Sequence, residues 1–368
     1  MLIAFIFFGL FVATLLLFSH VYVIFVISEI YQKRDKIITK ELYIILLKYI
    51  GIFIFIFTFC YFISNFLYSI MYIICFTYIG YFIYVFLFCF LYKLITKFKN
   101  LTPIYAKIFV LIIPLIITIF SLINAQITEF EEVTLIYPGY KSSIKIMHIS
   151  DMHLGAIYQK GSVENLVKII NENNPDVVVI TGDLSDGSLK FETEWLEPFN
   201  EIKENINVLY VTGNHENLYG KDEIIKEITK IKKIKYIGDI EEIINIKDVA
   251  FIGIDYEYKD IKTKAKSIID KYDVLNQKIP IVLLYHVPNV SLKVLNEIGI
   301  YLMISGHTHG GQVFPFHILV WIINKYFCGL YNYNNSNYVF VSTGYGTALV
   351  PMRFFSNKMI GIINIKGE

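Results

Sequence analysis

The sequence lacks an excess of charge of either sign. Its 368 residues include 33 Lys and Arg against 32 Asp and Glu, which leaves a formal net charge of +1. A chain that binds nucleic acid or another polyanion usually carries a clear surplus of basic residues. The even balance therefore gives no support to nucleic acid as a partner. Internal repeats, low-complexity tracts and glycine–serine linkers are also missing.

Cysteine is scarce as well, and none of it forms a metal-binding or disulfide pattern. Cys60, Cys75 and Cys89 lie within apolar runs, and Cys328 is the one cysteine of the second half. A single cysteine cannot form a disulfide within that half, and the sequence holds no CxxC zinc motif. We interpret all four as small buried hydrophobic residues.

Apolar residues, by contrast, are abundant and are concentrated in the first third of the chain. They make up 55% of the sequence, against roughly 45–50% in soluble proteins. A helix needs about 20 apolar residues to cross a bilayer, and four stretches qualify: 2–27, 42–63, 67–91 and 108–127. Pro114 is predicted to kink the last of these spans. A buried helical bundle is the alternative, but these stretches lack the polar face of such helices.

The basic residues predict the direction in which the spans cross. They cluster between the first and second spans and between the third and fourth: Lys33, Arg34, Lys36, Lys40, Lys93, Lys97, Lys99 and Lys107. Loops with such a positive excess are cytoplasmic as a rule. The segment after the fourth span opens instead with Glu129, Glu131 and Glu132. We therefore predict a multi-pass membrane protein whose second half is extracytoplasmic.

The second half shows a different pattern, with short β-branched runs separated by amphipathic helices. Its strands are predicted at 144–150, 176–183, 207–214, 249–254, 280–286, 301–307, 338–343 and 359–365, with helices over 163–173, 192–204 and 222–233. This alternation predicts an α/β fold in which helices cover the sheets. The predicted domains are a transmembrane anchor region of about four helices over 1–128, a connecting segment over 129–143 and a soluble domain over 144–368.

Polar side chains of the kinds that bind metals recur where the predicted strands end. They are Asp151, His153, Asp183, Asn214, His215, His286, His307 and His309. In open α/β sheets the carboxyl ends of the strands meet at one crevice, where ligands bind. We therefore expect these side chains to lie close together.

The order of these residues is more specific than any one of them. The sequence reads DxH at Asp151, GD at Gly182, GNHE at Gly213, a lone His286, and GHTHGGQ at Gly306. Each motif alone could be ordinary turn chemistry, but the ordered series is improbable by chance. The series resembles that of the calcineurin-like metallophosphoesterase family, DxH…GD…GNH[DE]…H…GHxH. This resemblance covers nearly all of the second half and none of the apolar third.

A second, softer resemblance concerns the end of the chain. The segments GHTHGGQVFP and STGYGTALVPMRFF resemble a bacterial membrane-associated branch of this family. That branch includes relatives of UDP-2,3-diacylglucosamine pyrophosphatase.

The family resemblance implies a four-layer αββα domain that holds two divalent metal ions. One ion would be held by Asp151, His153, Asp183 and His309, and the other by Asp183, Asn214, His286 and His307. The mixed oxygen and imidazole ligands suit Mn, Fe, Zn or similar ions. The implied activity is hydrolysis of a phosphodiester or pyrophosphate by activated water, with His215 as the general acid. Glu216 stands where many relatives have aspartate.

Two further features concern the substrate. Arg353 is predicted to contact a phosphate oxygen, although a purely structural arginine fits the sequence equally well. The apolar and aromatic segment 317–333 predicts either a lip at the membrane interface or ordinary core packing. If the segment forms a lip, a lipid-linked substrate and membrane lipids as partners are favoured. If it packs in the core, a soluble phosphodiester is the alternative substrate.

Two other classes of function remain open at this stage. A membrane-anchored metal-binding sensor or scaffold could use the same ligands with little hydrolysis, although the motif series is complete. A transporter or channel could use the spans, but their centres lack the ionisable residues that transport pathways show.

Overall fold

The computed structural model describes residues 19–31, Lys48, 59–98 and 102–368, in two compact units, Met1–Leu122 and Ile123–Glu368. The described helices of the first unit are α1 (Ser19–Ile30) and α2 (Asn65–Ile95), and α3 (Pro103–Asn124) leads into the second unit. A π-helical turn, Ile108–Ile112, ends two residues before Pro114. Val26, Cys89 and Val110 lie in the buried core of this unit.

Two of the four predicted spans have a counterpart among the described residues. Helices α2 and α3 are long and apolar enough to cross a membrane. The first predicted span is described only from Ser19, where α1 runs to Ile30. The second predicted span lies outside the described residues except for Lys48 and 59–63. The described helices therefore support a membrane part but not a four-helix region.

The second unit contains twelve strands in two six-stranded sheets. The strands are β1 (Thr128–Ile136), β2 (Ser143–Ile149), β3 (Val177–Thr181), β4 (Asn207–Val211), β5 (Ile234–Tyr236), β6 (Ile244–Ile246), β7 (Val249–Gly253), β8 (Ile281–Leu284), β9 (Leu302–Ser305), β10 (Gly329–Tyr333), β11 (Asn337–Val341) and β12 (Lys358–Lys366). The first sheet has the order β1-β12-β2-β3-β4-β5 and the second β10-β11-β9-β8-β7-β6. Both sheets are mixed: β2, β3, β4 and β5 are parallel neighbours, as are β7, β8, β9 and β11, while β12–β2, β10–β11 and β6–β7 are antiparallel.

The helices of the second unit connect these strands. They are α4 (Lys160–Asn173), α5 (Asn214–Tyr219), α6 (Lys221–Ile228), α7 (Ile261–Lys271), α8 (Val274–Gln277), α9 (Leu292–Glu297) and α10 (Phe316–Ile323). The predicted helix over 192–204 is instead two short 3₁₀ turns, Thr193–Trp195 and Glu197–Glu201. Pro198 has no N–H for a continuous α-helical ladder, which accounts for the difference.

The core lies between the two sheets and continues on their outer faces. Alternate residues of the central strands, such as Ile146 of the first sheet and Phe251 of the second, belong to one buried cluster. The opposite face of the second sheet packs on α7 and α9 in another cluster. The outer face of the first sheet is also covered, since Met147 is fully buried. Because both faces of both sheets are buried, the predicted α/β domain with covered sheets is confirmed.

One strand differs from the predicted organisation. The segment 129–143, predicted as a connection, includes most of β1, which pairs in parallel with β12 from Thr128 to Ile136. Several positions of β1 are exposed, because an edge strand is open on one side. Its glutamates at these positions make the segment look like a loop when only the sequence is considered. Strand β1 is therefore part of the second unit, which begins at Ile123, within the last two residues of α3.

Candidate metal centre

The predicted ligands follow sharp turns at the ends of strands. Asp151, His153, Asp183, His307 and His309 all have left-handed backbone, with φ between 49° and 73°. This region is uncommon for residues other than glycine, and each such residue costs on the order of 1–3 kcal/mol. Five strained residues at one crevice show that the fold maintains this arrangement of side chains against a local cost.

Glycines allow two of these turns to approach each other closely. A Cβ atom on Gly182 would lie 2.6 Å from the backbone nitrogen of Gly213 and 2.7 Å from Nδ1 of His286. A Cβ atom on Gly213 would overlap the carboxylate of Asp183. The GD and GNHE motifs therefore need their glycines because the loop after β3 and the loop after β4 are in direct contact.

Asp151, His153 and His309 form one half of the site. Nε2 of His309 lies 3.5 Å from Oδ1 of Asp151 and 3.0 Å from Nε2 of His153. All three side chains are buried, and among the described residues no partner reaches Nδ1 of His153 or of His309. The backbone N–H of His307 donates to both carboxylate oxygens of Asp151 at 3.1 Å, which orients that carboxylate.

Asp183, Asn214, His286 and His307 form the other half. Nε2 of His286 lies 3.3 Å from Oδ2 of Asp183 and 3.0 Å from Oδ1 of Asn214. Nδ1 of His307 lies 2.8 Å from the same Asn214 oxygen. Four side chains from four different loops thus meet within a few ångströms, as the motif order predicts.

Asp183 lies between the two halves. Its Oδ2 atom is 3.3 Å from Nε2 of His286, and 3.9 Å from Nε2 of both His153 and His215. Three sets of side chains in this site each have ligand atoms within 4.8 Å of one another. They are Asp151 with His153 and His309, His153 with Asp183 and His215, and Asp183 with His286 and His307. The one carboxylate that contacts both halves is therefore that of Asp183.

The electrostatics show what this cluster requires. Burial lowers the pKa of His153 to about 3 and, with repulsion by His286, that of His307 to about 4. Burial opposes charge on His286, but attraction and hydrogen bonding by Asp183, attraction by Asp151 and the bond to Thr181 together outweigh it and raise the pKa of His286 to about 10. For Asp183, burial is outweighed by the surrounding imidazoles, which hold its pKa below the ordinary value. The surroundings of Asp183 therefore favour a positive charge beside its carboxylate.

The donor geometry fits a divalent cation in that position. Nδ1 of His286 lies 2.7 Å from the carbonyl oxygen of Thr181 and must donate to it, which leaves Nε2 with a lone pair when the ring is neutral. That lone pair faces the oxygens of Asp183 and Asn214, and these acceptors repel one another unless a proton or a cation lies between them. Thr181 is a functional residue that the sequence did not single out. Its one signal is its position immediately before the GD motif.

Glu216 holds the turn that carries Asp183. Its fully buried carboxylate accepts hydrogen bonds from the backbone N–H groups of Asp183 at 3.0 Å, Leu184 at 2.6 Å, Ser185 at 3.1 Å and Gly213 at 2.7 Å. Burial and the nearby Asp183 raise the pKa of this carboxyl group. Glutamate, which is longer than the aspartate of many relatives, reaches all four of these N–H groups. We call this set of four hydrogen bonds the brace.

Replacing Glu216 by glutamine is expected to weaken metal binding by about 10–100-fold, the usual effect of losing a group that orients ligands. The amide NH₂ would face backbone N–H donors, so at least one hydrogen bond of the brace is lost. Metal titration of the purified chain measures the effect. Glu223→Gln, at an exposed position of α6, is the matched control. An affinity equal to that of the control would contradict the role of the brace.

Arg353 lies behind His309 and contacts backbone oxygens. Its side chain is fully buried, and its two terminal nitrogens donate to the carbonyl oxygens of Thr343, Gly344, Gly346 and Asn357, at 2.6–3.0 Å. It also donates to Oγ of Ser356 at 2.9 Å. Substrate contact by Arg353 stays a prediction, but this placement is that of a residue that fixes the loop beside the metal centre.

Comparison with known proteins agrees with this geometry. Residues 144–311 match the model of the calcineurin-like phosphoesterase family. An uncharacterized metallophosphoesterase of Aquifex aeolicus is 30% identical over 231 residues, which cover 62% of this chain and 87% of that protein. One from Helicobacter pylori is 31% identical over 223 residues, or 60% of each chain. A Danio rerio transmembrane protein with a metallophosphoesterase domain is 30% identical over 270 residues, 70% of this chain and 62% of that one.

The chain belongs to the calcineurin-like phosphoesterase family, a class of metal-dependent phosphoester hydrolases. The match spans 60% of the Helicobacter pylori relative and 62% of the Danio rerio relative. The transmembrane relative and the two membrane-length helices together indicate that the chain is associated with a membrane.

Proposed function

We propose that this chain is a membrane-anchored phosphoester hydrolase with a dinuclear metal centre in which Asp183 is shared. The observation that carries the proposal is the position of Oδ2 of Asp183, between His153 of one half and His286 of the other. Asp151, His153 and His309 would hold one ion, and Asn214, His286 and His307 the other. When bound, such ions activate water and neutralise the charge of a phosphoryl group.

The protein's own residues would orient the reacting groups. Thr181 and Glu216 hold His286 and the Asp183 turn in place, so little reorganisation is needed when substrate binds. The backbone N–H of His215 donates to Oδ1 of Asp183 at 2.9 Å, which fixes this imidazole beside the shared carboxylate. The His215 side chain is 21% exposed and its ring meets that of His153 edge-on at 4.6 Å. It can therefore reach a substrate at the mouth of the site and give a proton to the leaving oxygen.

Replacing His215 by glutamine is expected to lower kcat by about 10²–10⁴, the range of general acid catalysis, with metal content unchanged. The loss should be larger for an alkyl phosphodiester than for bis-p-nitrophenyl phosphate, because p-nitrophenolate needs little protonation as it leaves. Leu218→Gln, an exposed position on the same short helix, is the matched control. An equal loss with both substrates would contradict the acid role and favour a purely structural imidazole.

The activity itself is tested by metal analysis of the purified full chain, combined with a panel of phosphomonoesters, phosphodiesters and lipid pyrophosphates. Two ions per chain with metal-dependent hydrolysis would support the proposal. Two bound ions without hydrolysis of any phosphoester would favour the sensor or scaffold instead.

The substrate proposed is a lipid-linked phosphodiester or pyrophosphate. The segment GHTHGGQVFP and the later STGYGTALVPMRFF support this through their resemblance to the branch related to UDP-2,3-diacylglucosamine pyrophosphatase. The exposed apolar side chains of α10, beside the GHTHGGQ turn, also support it. A preference for soluble diesters in the same panel would contradict the lipid-linked class.

The proposed topology is multi-pass, with four spans and the metallophosphoesterase domain extracytoplasmic. It rests on the basic residues of the two predicted cytoplasmic loops, such as Lys36 and Lys97. Protease should cleave the domain when it is added to cells whose wall and any outer membrane have been removed but whose plasma membrane is still sealed. Full protection of the domain until the membrane is broken would reverse the proposed orientation.

A further inference from the structure

An exposed apolar surface lies beside the metal centre. We call it the apolar patch, and it consists of Phe316, Ile318, Leu319, Trp321, Ile322, Ile323, Leu349 and Phe355. Helix α10 has no buried residue, and Trp321 and Ile323 are 67% and 68% exposed. Residues 314–324 include no Asp, Glu, Lys or Arg. A helix without a polar face is not stable against water and needs an apolar environment around it.

The patch comes from two segments of the chain, α10 and the segment that carries Leu349 and Phe355, and direct contacts join them. The ring of Phe355, which is 74% exposed, lies 6.1 Å from that of Phe314 and 6.2 Å from that of His317. The side chain of Gln312 donates from Nε2 to the carbonyl oxygens on both sides of Leu349 at 3.0 Å. Burial lowers the pKa of His317, so the patch carries no charge at neutral pH.

The segment that carries Phe355 is bonded to Asn124, near the start of the second unit. Asn124 is the last residue of α3, and β1 begins at Thr128, so three residues separate a membrane-length helix from the first sheet. Nδ2 of Asn124 donates to the carbonyl oxygens of Ser356 at 3.1 Å and of Arg353 at 3.3 Å, on either side of Phe355. The end of the helix is therefore bonded to the segment that carries the patch.

We propose that the apolar patch docks into the interface of the lipid bilayer that anchors the chain. An apolar helix at such an interface lies about 5–10 Å into the boundary between headgroups and acyl chains, and tryptophan is the residue that this region favours. Lys325, an exposed cation, follows the end of this helix by two residues. A second copy of the chain is the competing occupant, but the covalent link to α3 keeps lipid at a far higher local concentration.

Docking would set the position of the metal centre relative to the lipid. A Cβ atom on Gly311 would lie 2.5 Å from Cα of His317, so α10 packs directly on the turn that carries His309. If the proposed function is correct, the centre would meet phosphoesters at the level of the headgroups. The docking itself does not depend on catalysis and is tested separately from it.

The sequence provides its own probe, because it has two tryptophans, Trp195 and Trp321. Trp195 is buried, at 7% exposed. The full chain with Trp195→Phe, reconstituted in phosphatidylcholine vesicles, reports on Trp321 alone. We expect brominated phosphatidylcholine to remove most of this emission and acrylamide to have little access to it. Subtracting the signal of Trp321→Phe from that of the unaltered chain gives the same information if Trp195→Phe fails to fold.

Either of two other outcomes would overturn the proposal. Strong quenching by acrylamide without quenching by brominated lipid would place Trp321 in water. Protection from both quenchers would place it against protein, as in a second copy. The Trp321→Phe chain is the control, since the buried Trp195 should respond to neither quencher.

A second arm uses activity. Ile322→Asp is expected to reduce severalfold the hydrolysis of an acylglycerol p-nitrophenyl phosphodiester embedded in the vesicles, without changing that of soluble bis-p-nitrophenyl phosphate. Leu275→Asp is the matched control, a half-exposed leucine of α8 outside the patch. Equal rates for the two variants on the embedded substrate would overturn a role in substrate access. Absence of hydrolysis in every variant would instead count against the proposed function, and the fluorescence result would still decide the docking.

Discussion

Replacing Asp183 by asparagine is expected to remove nearly all hydrolysis and to lower the metal content of the chain. The carboxylate contacts both halves of the centre, and its negative charge stabilises the cationic state of the cluster. Several kcal/mol of charge stabilisation would be lost, and each 1.4 kcal/mol corresponds to a factor of about ten, so we expect a fall of roughly 10³-fold or more. Metal analysis and hydrolysis of bis-p-nitrophenyl phosphate measure the two effects.

Asp186→Asn is the matched control for this variant. Asp186 lies three residues further along the same loop, and its Oδ1 atom accepts hydrogen bonds from the backbone N–H of Ser188 at 2.7 Å and from its hydroxyl at 2.6 Å. Burial raises the pKa of Asp186 to about 6, so an amide there changes less charge than at Asp183. If Asp186→Asn lost as much activity and metal as Asp183→Asn, the losses would come from disturbing the loop and not from removing the shared carboxylate.

The clustering of the candidate ligands could be predicted from the sequence, because the motif order places each of them after a strand. Asp151, Asp183 and His286 were each placed at the carboxyl end of a strand, and β2, β3 and β8 end just before them. Parallel strands carry their carboxyl ends to the same edge, so convergence follows once the strands are known. Strand β3, VVVIT, is a continuous β-branched run, which is typical of strands buried on both faces.

Other features depend on partners that are distant in the sequence. Strand β1 contains three glutamates and is recognised only through its pairing with β12, more than 200 residues later. Strand β10 lies within the segment 317–333, whose apolar residues suggested either a lip or core packing. The structure divides that segment, since α10 is exposed whereas Tyr326 is buried in the core of the second sheet. Composition alone cannot separate an exposed apolar helix from a buried one.

Arg353→Met is expected to destabilise the second unit by about 2–6 kcal/mol, because two buried carbonyl oxygens would lose their donor and each such group costs about 1–3 kcal/mol. Those are the oxygens of Thr343 and Gly346, whereas those of Asn357 and Gly344 still accept from the Thr343 hydroxyl and the Met359 N–H. Burial lowers the pKa of Arg353 to about 10, which still leaves it charged at neutral pH. Denaturant unfolding of the detergent-solubilised chain, followed by tryptophan emission, measures the effect, since both tryptophans lie in the second unit.

Lys358→Met is the informative comparison, because Lys358 is a second buried cation in the same region. Its Nζ atom lies 3.8 Å from the centre of the Tyr345 ring, and burial, with repulsion by Arg353, lowers its pKa to about 8. A lysine whose folded pKa is depressed favours the unfolded state at any pH below its ordinary value, and most strongly below about 8. Lys358→Met should therefore leave the stability at pH 7 unchanged or raised, and it should reduce the gain in stability between pH 8 and pH 10.

A third variant, Arg353→Lys, separates the two roles that the sequence left open for Arg353, contact with phosphate and a purely structural role. If its guanidinium fixes the loop, Arg353→Lys should lower stability and kcat together, because an ammonium group cannot reach all of the carbonyl oxygens that the fork contacts. If Arg353 instead contacts the phosphate, Arg353→Lys should raise KM while the denaturant midpoint stays that of the unaltered chain. The complete burial of the side chain and its contacts with backbone on two sides of the loop favour the first result.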